Sequence, residues 1–374
     1  MYKWGWFFLA ALSLPRAQGK QFFEKSKHII IQTSIIILIT FFLAEVSLRV
    51  YHYFNPTFIF YSNSYNRYRG TPYSNDYSDF KLNSRGFKDK EFTEKNENVY
   101  RIIGIGDSFT FDVVQNKYNY LTILESQLQE NNYNIEILNM GIPSIGPKEY
   151  LSLFVREGLE LKPDMVLLTF YVGNDFADCS ERRKYYEYSY VATFINYLIT
   201  LETKYEGSNI NGQGDYCNDN ATIEKEAYLK IMRQRGFMYL KGDETFTKLY
   251  NIALHYLSLI NDICKNKHIE FIVVIAPDEY QINNVLHDEV IKAFYPNLNR
   301  EKWDITLPNK MLTDGLDKIG IKYINLYPYF RQKSGERLYK PQDTHWNIAG
   351  NQLSANIIQA HILRYLNNDN LKSR

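Results

Sequence analysis

The sequence has almost no net charge. Its 374 residues carry 43 lysine and arginine side chains against 42 aspartate and glutamate side chains, which gives a formal net charge of +1. Without an excess of positive charge, the chain has no long-range field that would recruit a nucleic acid or an acidic polymer. The composition therefore argues against a protein that binds its partner through a large net charge, and we predict no nucleic-acid partner.

Cysteine is also scarce, with only Cys179, Cys217 and Cys264. None forms a CxxC pair or lies near a suitable group of histidines, so we predict no metal site. Cys264 has the spacing of a buried helix residue and is expected to be a free thiol. Cys179 and Cys217 share one irregular segment, and closing a loop of about 40 residues would stabilise it by about 3 to 4 kcal/mol in an oxidising compartment. We predict a disulfide between them.

The sequence lacks a phosphate-binding glycine motif. Gly104-x-Gly106 begins like a dinucleotide-binding loop, but Phe109 stands near the place of the third glycine. No GxxxxGK occurs anywhere in the chain. Neither nucleotide-binding pattern is therefore complete, and we predict no cofactor.

One long apolar run lies near the N-terminus. Residues 29–44 read IIIQTSIIILITFFLA, and the run continues far enough to match the roughly 20 residues that a membrane helix needs. We predict a transmembrane helix with its interface at residues 28–54, preceded by a cytoplasmic or interfacial segment at residues 1–27. A cleaved signal peptide and a buried helix of a globular domain are the alternatives, although no small-x-small cleavage site follows the run.

Charged residues at both ends of this run favour one orientation. Lys20, Lys25 and Lys27 precede it, so the N-terminus is expected in the cytoplasm and the rest of the chain in the periplasm or at the cell surface. Glu45 and Arg49 are four residues apart and can pair on one face of the helix near the interface. The earlier apolar stretch at residues 4–14 is too short to span, and it is interpreted as an interfacial segment, a signal-like apolar region or residues upstream of the true start.

The remainder of the chain has the pattern of an α/β domain at residues 99–374, after an extended lead-in at residues 55–98. Short apolar runs suit strands buried on both faces, and segments with helical spacing lie between them. The predicted strands are Tyr100–Ile105, Ile135–Asn139, Met165–Tyr171, Ile269–Ala276 and Lys322–Leu326, and the predicted helices are Tyr120–Glu130, Glu149–Gly158, Phe246–Asn266, Pro308–Ile319 and Ile348–Leu366. This alternation predicts a parallel sheet inside a three-layer α/β/α sandwich.

The connection after the third strand is much longer than usual. Residues 176–245 separate that strand from the next helix, whereas such connections usually have about 2 to 6 residues. We interpret them as an inserted cap over the edge of the sheet where the strands end, which is also where ligands bind in parallel sheets. A shorter irregular stretch covers residues 278–303.

A serine that could act as a nucleophile and a histidine that could act as its base stand at predicted loop positions. Ser108 follows the first strand in GDSF, at a strand-to-helix turn that suits a nucleophile. His345, one of seven histidines, is the one in a polar loop with a carboxylate two residues away, and Asp343 can orient its imidazole. The alternative interpretation makes Asp107 or Ser108 an ordinary helix cap, Asp343 or Asn347 the cap of the last helix, and His345 a surface residue.

Donors for an oxyanion follow the next two strands. The second strand ends in LNMGIPSIGP, a turn that can present the backbone N–H of Ser144. The third ends in FYVGNDF, which places the side-chain amide of Asn174 at the same edge. Either sequence alone is ordinary turn chemistry, but both together with a serine and a histidine are typical of an acyl-transfer site.

These four blocks, in their order, resemble those of the SGNH/GDSL hydrolase superfamily. The resemblance covers roughly residues 83–366 and implies a flavodoxin-like fold with a five-stranded parallel sheet. It also implies that Ser108 is the nucleophile, His345 the base and Asp343 its partner. The oxyanion hole would be formed by the N–H groups of Ser108 and Ser144 and the side chain of Asn174.

The sequence departs from the family pattern at three places. Ser144 stands where the family usually has glycine, Val172 replaces the first glycine of Gly-x-Asn-Asp, and Asp343-x-His345 is one residue shorter than the usual Asp-x-x-His. The shorter DTHW form resembles that of membrane-linked enzymes that acetylate bacterial polysaccharides.

The resemblance implies a serine-dependent esterase that acts on an acylated carbohydrate or another ester. An O-acyltransferase acting on envelope glycans shares the first half-reaction and is the main alternative, with envelope-glycan assembly proteins as possible partners. A non-catalytic glycan-binding or scaffold module is the second alternative. It would usually have lost one of the three residues, and this sequence retains all of them.

Overall fold

The computed structural model describes residues 16–55, 58–60, 65, 69–75, 80–179, 185–200 and 220–366. The apolar stretch at residues 4–14 and Cys217 lie outside these ranges. The described residues form two compact units. One unit combines Met1–Phe60 with Arg183–Glu202, and the other combines Tyr61–Arg182 with Thr203–Arg374.

Helices and strands alternate along most of the chain. The α-helices are α1 (Arg16–Phe54), α2 (Ser108–Phe111), α3 (Tyr120–Glu130), α4 (Pro147–Leu153), α5 (Asp175–Asp178), α6 (Tyr190–Thr200), α7 (Lys225–Gln234), α8 (Glu244–Asn266), α9 (Glu279–Ile282), α10 (Asn284–Phe294), α11 (Leu307–Ile319), α12 (Tyr327–Gln332) and α13 (Ile348–Leu366). The strands are β1 (Tyr100–Ile105), β2 (Ile135–Asn139), β3 (Met165–Tyr171), β4 (Glu270–Ala276) and β5 (Lys322–Asn325). Short 3₁₀ turns cover Phe58–Phe60, Asn116–Tyr118, Leu159–Leu161, Tyr185–Tyr188 and Gly236–Tyr239, and a π turn at Phe154–Gly158 extends α4.

The five strands form one parallel sheet in the order β2-β1-β3-β4-β5. This order and the flanking helices confirm the predicted three-layer α/β/α sandwich with a flavodoxin-like sheet. The chain moves outward from β1 to β2 and then crosses to β3, so the strand order reverses at β1. The carboxyl ends of β1 and β3 therefore lie side by side at the reversal, where sheets of this type bind their ligands.

The strands β1, β3 and β4 are nearly continuous apolar runs because both faces of the sheet are covered there, whereas the edge strand β5 is partly exposed. On β1, Ile103 and Ile105 pack with α4, α8 and α11 on one face, whereas Ile102 packs with α3 and α13 on the other. β3 is buried along all seven residues. A half-buried strand would need polar residues at alternate positions, and their absence made these strands recognisable in the sequence.

The segment inserted after β3 is divided between the two units. Its described residues 185–200 belong to the unit of α1, and those from 220 onward belong to the unit of the sheet. The prediction that residues 278–303 are irregular is wrong for most of their length, because α9 and α10 occupy Glu279–Ile282 and Asn284–Phe294. Within the second unit, α7 shares a small apolar cluster with these two helices, built on Tyr228, Met232, Tyr280 and Leu286. The role of the segment as a cap over the site stays a prediction.

Helix α1 contains an apolar stretch long enough to cross a membrane. This stretch, Ser26–Phe54, has 29 residues, and none of its most apolar part is buried against the protein. At about 1.5 Å per residue it spans roughly 43 Å, more than the hydrocarbon core of about 30 Å. The predicted pairing of Glu45 with Arg49 is present, with Arg49 Nε donating to Glu45 Oε1 at 2.8 Å. By length and composition, this helix is either a membrane span or a signal sequence.

Candidate active site

Ser108 lies at the first position of α2, directly beyond the carboxyl end of β1. Asp107 caps this helix, because its Oδ1 accepts the N–H of Phe109 at 2.8 Å. A Cβ atom on Gly106 would lie 2.1 Å from Thr110 Oγ1, so glycine is needed for the close turn between strand and helix. The cap and the nucleophile interpretations of this motif are compatible, since Asp107 is the cap and Ser108 is half-buried beside it.

The structure brings Ser108 together with His345 and Asp343, although 237 positions separate the serine from the histidine. His345 Nε2 lies 2.8 Å from Ser108 Oγ, and its Nδ1 lies 2.6 Å from Asp343 Oδ1. Asp343 Oδ1 also accepts the backbone N–H of His345 at 3.1 Å, which fixes the loop before α13. The His345 side chain is 16% exposed, that of Asp343 is 5% exposed and Ser108 is half-buried, so the aspartate is the most deeply buried of the three.

The charges around the imidazole favour its protonated form. Burial alone would lower the pKa of His345, but the hydrogen bond and charge of Asp343, together with the charges of Asp107 and Asp112, outweigh burial and raise it. Burial would likewise raise the pKa of Asp343, yet the hydrogen bond and charge of His345 lower it to about 2. Asp343 is therefore ionised at neutral pH and can stabilise an imidazolium that forms when His345 takes a proton.

Aromatic rings pack against the turn that carries Ser108. Phe109 stacks on Tyr171 with 3.9 Å between ring centroids, and it meets the edge of Trp346 at 5.0 Å. Tyr171 is fixed in turn, because its hydroxyl donates to Asp278 at 3.0 Å and accepts from Arg235 at 2.7 Å. The residues that flank Ser108 and His345 thus pack on a ring that is anchored to a buried ion pair.

The turn after β2, residues 141–146, contacts the elements on both sides of it. A Cβ on Gly141 would lie 2.2 Å from the backbone nitrogen of Phe111, and one on Gly146 would lie 2.7 Å from Asp178 Cβ. Ser144, between them, is exposed and has φ 61°, a left-handed conformation that favours glycine. This explains why a glycine would be expected at this position, while serine retains the same backbone N–H.

Asn174 lies at the end of β3, directly before α5. Its Nδ2 donates to Asp178 Oδ2 at 2.9 Å, and a hydrogen bond from the same side chain to Asp107 partly offsets the rise that burial causes in the pKa of that carboxyl group. The neighbouring Asp175 clamps the turn, since its carboxylate accepts the Tyr150 hydroxyl at 2.8 Å and the backbone N–H of Tyr171 at 2.9 Å. Asn174 is therefore held at the reversal edge of the sheet, on the same side as Ser108.

Two residues that support this site could not be identified from the sequence. Lys88, in the lead-in, donates through Nζ to the backbone oxygens of Asp112 and Val114, just beyond α2. Tyr228, in the inserted segment, donates to a carboxylate oxygen of Glu279 and lies 3.3 Å from the backbone oxygen of Asp343. Both lie far along the chain from their partners and belong to no local motif, so only the fold identifies them.

Cys179 follows α5 as a buried free thiol, and its Sγ donates to the backbone oxygen of Asp175 at 3.3 Å. Burial raises the pKa of this thiol, which makes it a poor nucleophile. Cys264 is also buried and free, as expected. Because Cys217 lies outside the described residues, the Cys179–Cys217 disulfide stays a prediction. Within the described ranges, no group of three or more His, Cys, Asp or Glu side chains could hold a metal ion.

The chain matches no family model and no curated protein. Among solved structures, it is similar to an acylhydrolase of Bacteroides fragilis at 13% identity, over 74% of this chain and 92% of that one, with a TM-score of 0.40. A lipase/acylhydrolase of Enterococcus faecalis matches at 14% identity, over 71% and 96%, with a TM-score of 0.38. An acetylxylan esterase of Geobacillus stearothermophilus, Axe2, matches at 11% identity, over 70% and 94%, with a TM-score of 0.40.

Proposed function

We propose that the protein is a serine-dependent ester hydrolase of the SGNH/GDSL type that works through an acyl-enzyme. The observation that carries this proposal is the continuous hydrogen-bonded series from Ser108 Oγ through His345 to Asp343, with distances of 2.8 and 2.6 Å. A serine hydroxyl is a weak nucleophile until a base is in reach, and this geometry supplies one. The ionised Asp343 behind the imidazole completes the arrangement that activates serine on unrelated folds.

In the first half-reaction, Ser108 Oγ attacks the acyl carbonyl carbon while His345 Nε2 takes the hydroxyl proton. The carbonyl oxygen becomes an oxyanion, which we assign to the N–H groups of Ser108 and Ser144 and the amide of Asn174. Collapse of this intermediate breaks the bond to the alcohol, which leaves with the proton from His345. Asp343 keeps its charge throughout and stabilises the imidazolium.

In the second half-reaction, His345 removes a proton from an incoming hydroxyl group, which attacks the ester on Ser108. If the hydroxyl belongs to water, the products are a free acid and the regenerated serine. If it belongs to a sugar, the product is a new ester, and the protein is an O-acyltransferase. The short Asp343-x-His345 block resembles the form in enzymes that acetylate polysaccharides, and transfer to a sugar is therefore the second candidate function beside hydrolysis.

We further propose that α1 anchors the protein in a membrane, with its N-terminus in the cytoplasm and the sheet unit in the periplasm or at the cell surface. The substrate would then be an acylated glycan of the cell envelope, and envelope-glycan assembly proteins would be the natural partners. The apolar length of α1 supports the anchor. The lysines that precede the apolar stretch support the orientation.

Hydrolysis and transfer can be separated with the purified full-length protein and an acetyl ester of a chromogenic phenol. Acetate and acetylated sugar are measured together, with and without neutral and uronate-containing oligosaccharides. We expect release of the phenol that requires Ser108 in every case. Acetate alone identifies a hydrolase, whereas acetylated sugar formed at the expense of acetate identifies a transferase. Phenol release no faster than with the Ser108→Ala variant would contradict both.

Asn174→Ala tests the oxyanion assignment. A single donor to the oxyanion typically contributes about 3 to 4 kcal/mol to the transition state, so kcat should fall by about 10² to 10³ with little change in KM. Asn139→Ala is not a suitable comparison, because that side chain holds α2 through the backbone oxygen of Thr110. Asn356→Ala, on the exposed side of α13, is the matched control and should leave kcat unchanged. An effect confined to KM would make Asn174 a substrate contact instead.

A further inference from the structure

Helix α6, in the inserted segment, has no charged residue on any side. Its sequence is YVATFINYLIT. Ile195, Leu198 and Ile199 are exposed by 49%, 48% and 74%. They follow the i, i+3, i+4 spacing, so they form one aliphatic stripe on a single face of the helix. Three large aliphatic side chains on one face are unfavourable in water, at about 25 cal/mol for each Å² of apolar surface.

Helix α6 belongs to the same compact unit as α1. Its first residue, Tyr190, stacks on Phe60 with 4.3 Å between ring centroids and meets the edge of His52 at 5.5 Å. The guanidinium of Arg49 lies 4.5 Å from the centroid of the same Tyr190 ring. The start of α6 is therefore packed against the C-terminal end of the apolar stretch of α1.

Glu45 joins the two helices through the backbone of α6. Its carboxylate accepts the N–H groups of Tyr190 and Val191 at 3.0 Å each and the hydroxyl of Ser189 at 2.9 Å. Arg49 donates to the same carboxylate and to the backbone oxygen of Tyr188 at 3.0 Å. The acid thus satisfies amides that a helix N-terminus leaves unpaired, and Arg49 balances its charge.

The pairing of Glu45 and Arg49 with the start of α6 is suited to the hydrocarbon core of a membrane, where no water is present. In hydrocarbon, each unpaired backbone group costs several kcal/mol, and a single charge is expensive unless it is paired. Here Glu45 pairs the first amides of α6 and Arg49 balances the charge of Glu45, so that neither the helix start nor the acid depends on water. The apolar surface of α6 and the internal pairing at its start therefore point to the same environment that surrounds the apolar stretch of α1.

We propose that α6 is a second membrane-embedded element, with its aliphatic stripe of Ile195, Leu198 and Ile199 in contact with lipid acyl chains. Its 11 residues span about 16 Å, roughly half of the hydrocarbon core, so it enters one leaflet without crossing the bilayer. Glu45 lies toward the C-terminal end of α1, so α6 occupies the leaflet that holds this end. The proposal goes beyond the esterase function and rests on the proposed anchor, since α6 is packed against α1.

The test uses the full-length protein reconstituted in phosphatidylcholine vesicles. Ile199→Cys is labelled with a nitrobenzoxadiazole maleimide in a Cys217→Ser background, since Cys179 and Cys264 are buried. Labels at Ile36→Cys on α1 and at Lys318→Cys on the exposed side of α11 serve as the membrane and water references. Phosphatidylcholine with a nitroxide on its acyl chain is then added as the quencher.

We expect the label at position 199 to be quenched several-fold, as at position 36, while the label at position 318 keeps its emission. Quenching at position 36 without quenching at 199 would overturn the proposal and leave the anchor intact. Absence of quenching at both positions would overturn the proposal together with the anchor. Leu198→Cys provides a second label on the same stripe if the variant at 199 fails to fold. Esterase activity, measured on the same samples, tests the proposed function separately.

Discussion

Ser108→Ala and His345→Ala should each lower kcat for ester hydrolysis by about 10⁴ to 10⁶. The reason is geometric, since the proton of the Ser108 hydroxyl has its acceptor at His345 Nε2, 2.8 Å away, and neither group can act without the other. The double variant should therefore be no slower than either single variant, because residues that act as a unit have strongly non-additive effects. The measurement is steady-state turnover of an activated acetyl ester.

Matched controls separate chemistry from folding in this experiment. Ser126→Ala removes an exposed serine hydroxyl from α3, and His255→Ala removes an exposed imidazole from α8. Both should keep the turnover of the unaltered protein, and all four variants should unfold at similar temperatures. Wild-type turnover in Ser108→Ala would show that the proposed nucleophile is wrong.

Asp343→Asn should lower kcat by about 10³ to 10⁴ and should also shift the pH profile. His345 must be neutral to accept a proton, so activity is lost as the pH falls through its pKa. That pKa lies above the ordinary value for histidine of about 6.5, because Asp343 and the nearby acids outweigh burial. Without the charge of Asp343, burial lowers the pKa of His345 with less opposition. The acidic limb of the kcat/KM profile should therefore move to lower pH.

The comparison for this variant is Asp304→Asn, an acid that caps a turn before α11 by accepting the N–H of Thr306. It should leave both the rate and the profile unchanged. A loss of activity in Asp343→Asn with the acidic limb unmoved would mean that Asp343 only supports the loop through the backbone N–H of His345. A shift of the acidic limb together with the loss of rate would show that Asp343 acts through its charge and not only through its support of the loop.

The sheet could be predicted closely because its signal is local. Strands buried on both faces must be continuous apolar runs, and every predicted strand begins and ends within one residue of the observed one. The site residues were found for a related reason. Side chains that follow parallel strands meet at one edge, so Ser108 and Asn174 could be placed near each other from the sequence alone.

Contacts between distant polar residues could not be predicted in this way. The clamp of Tyr150 on Asp175 and the contact of Tyr228 with the backbone of Asp343 depend on how helices stack on the sheet. The pairing of Glu45 with the start of α6 joins residues 145 positions apart, and no periodicity marks it. The length of the segment after β3 identified it as an insertion, but its association with α1 required the three-dimensional arrangement.

The most direct test of the account is to identify the residue that reacts with a fluorophosphonate. This reagent takes the role of the ester substrate, and it reacts with a serine only when the hydroxyl group is activated as a nucleophile. The full-length protein is treated with the probe, digested and analysed by tandem mass spectrometry. We predict that the phosphonyl group is found on Ser108, that activity is lost in proportion to its incorporation, and that His345→Ala abolishes the labelling. Modification of another residue, or an active protein that leaves Ser108 unmodified, would contradict the account.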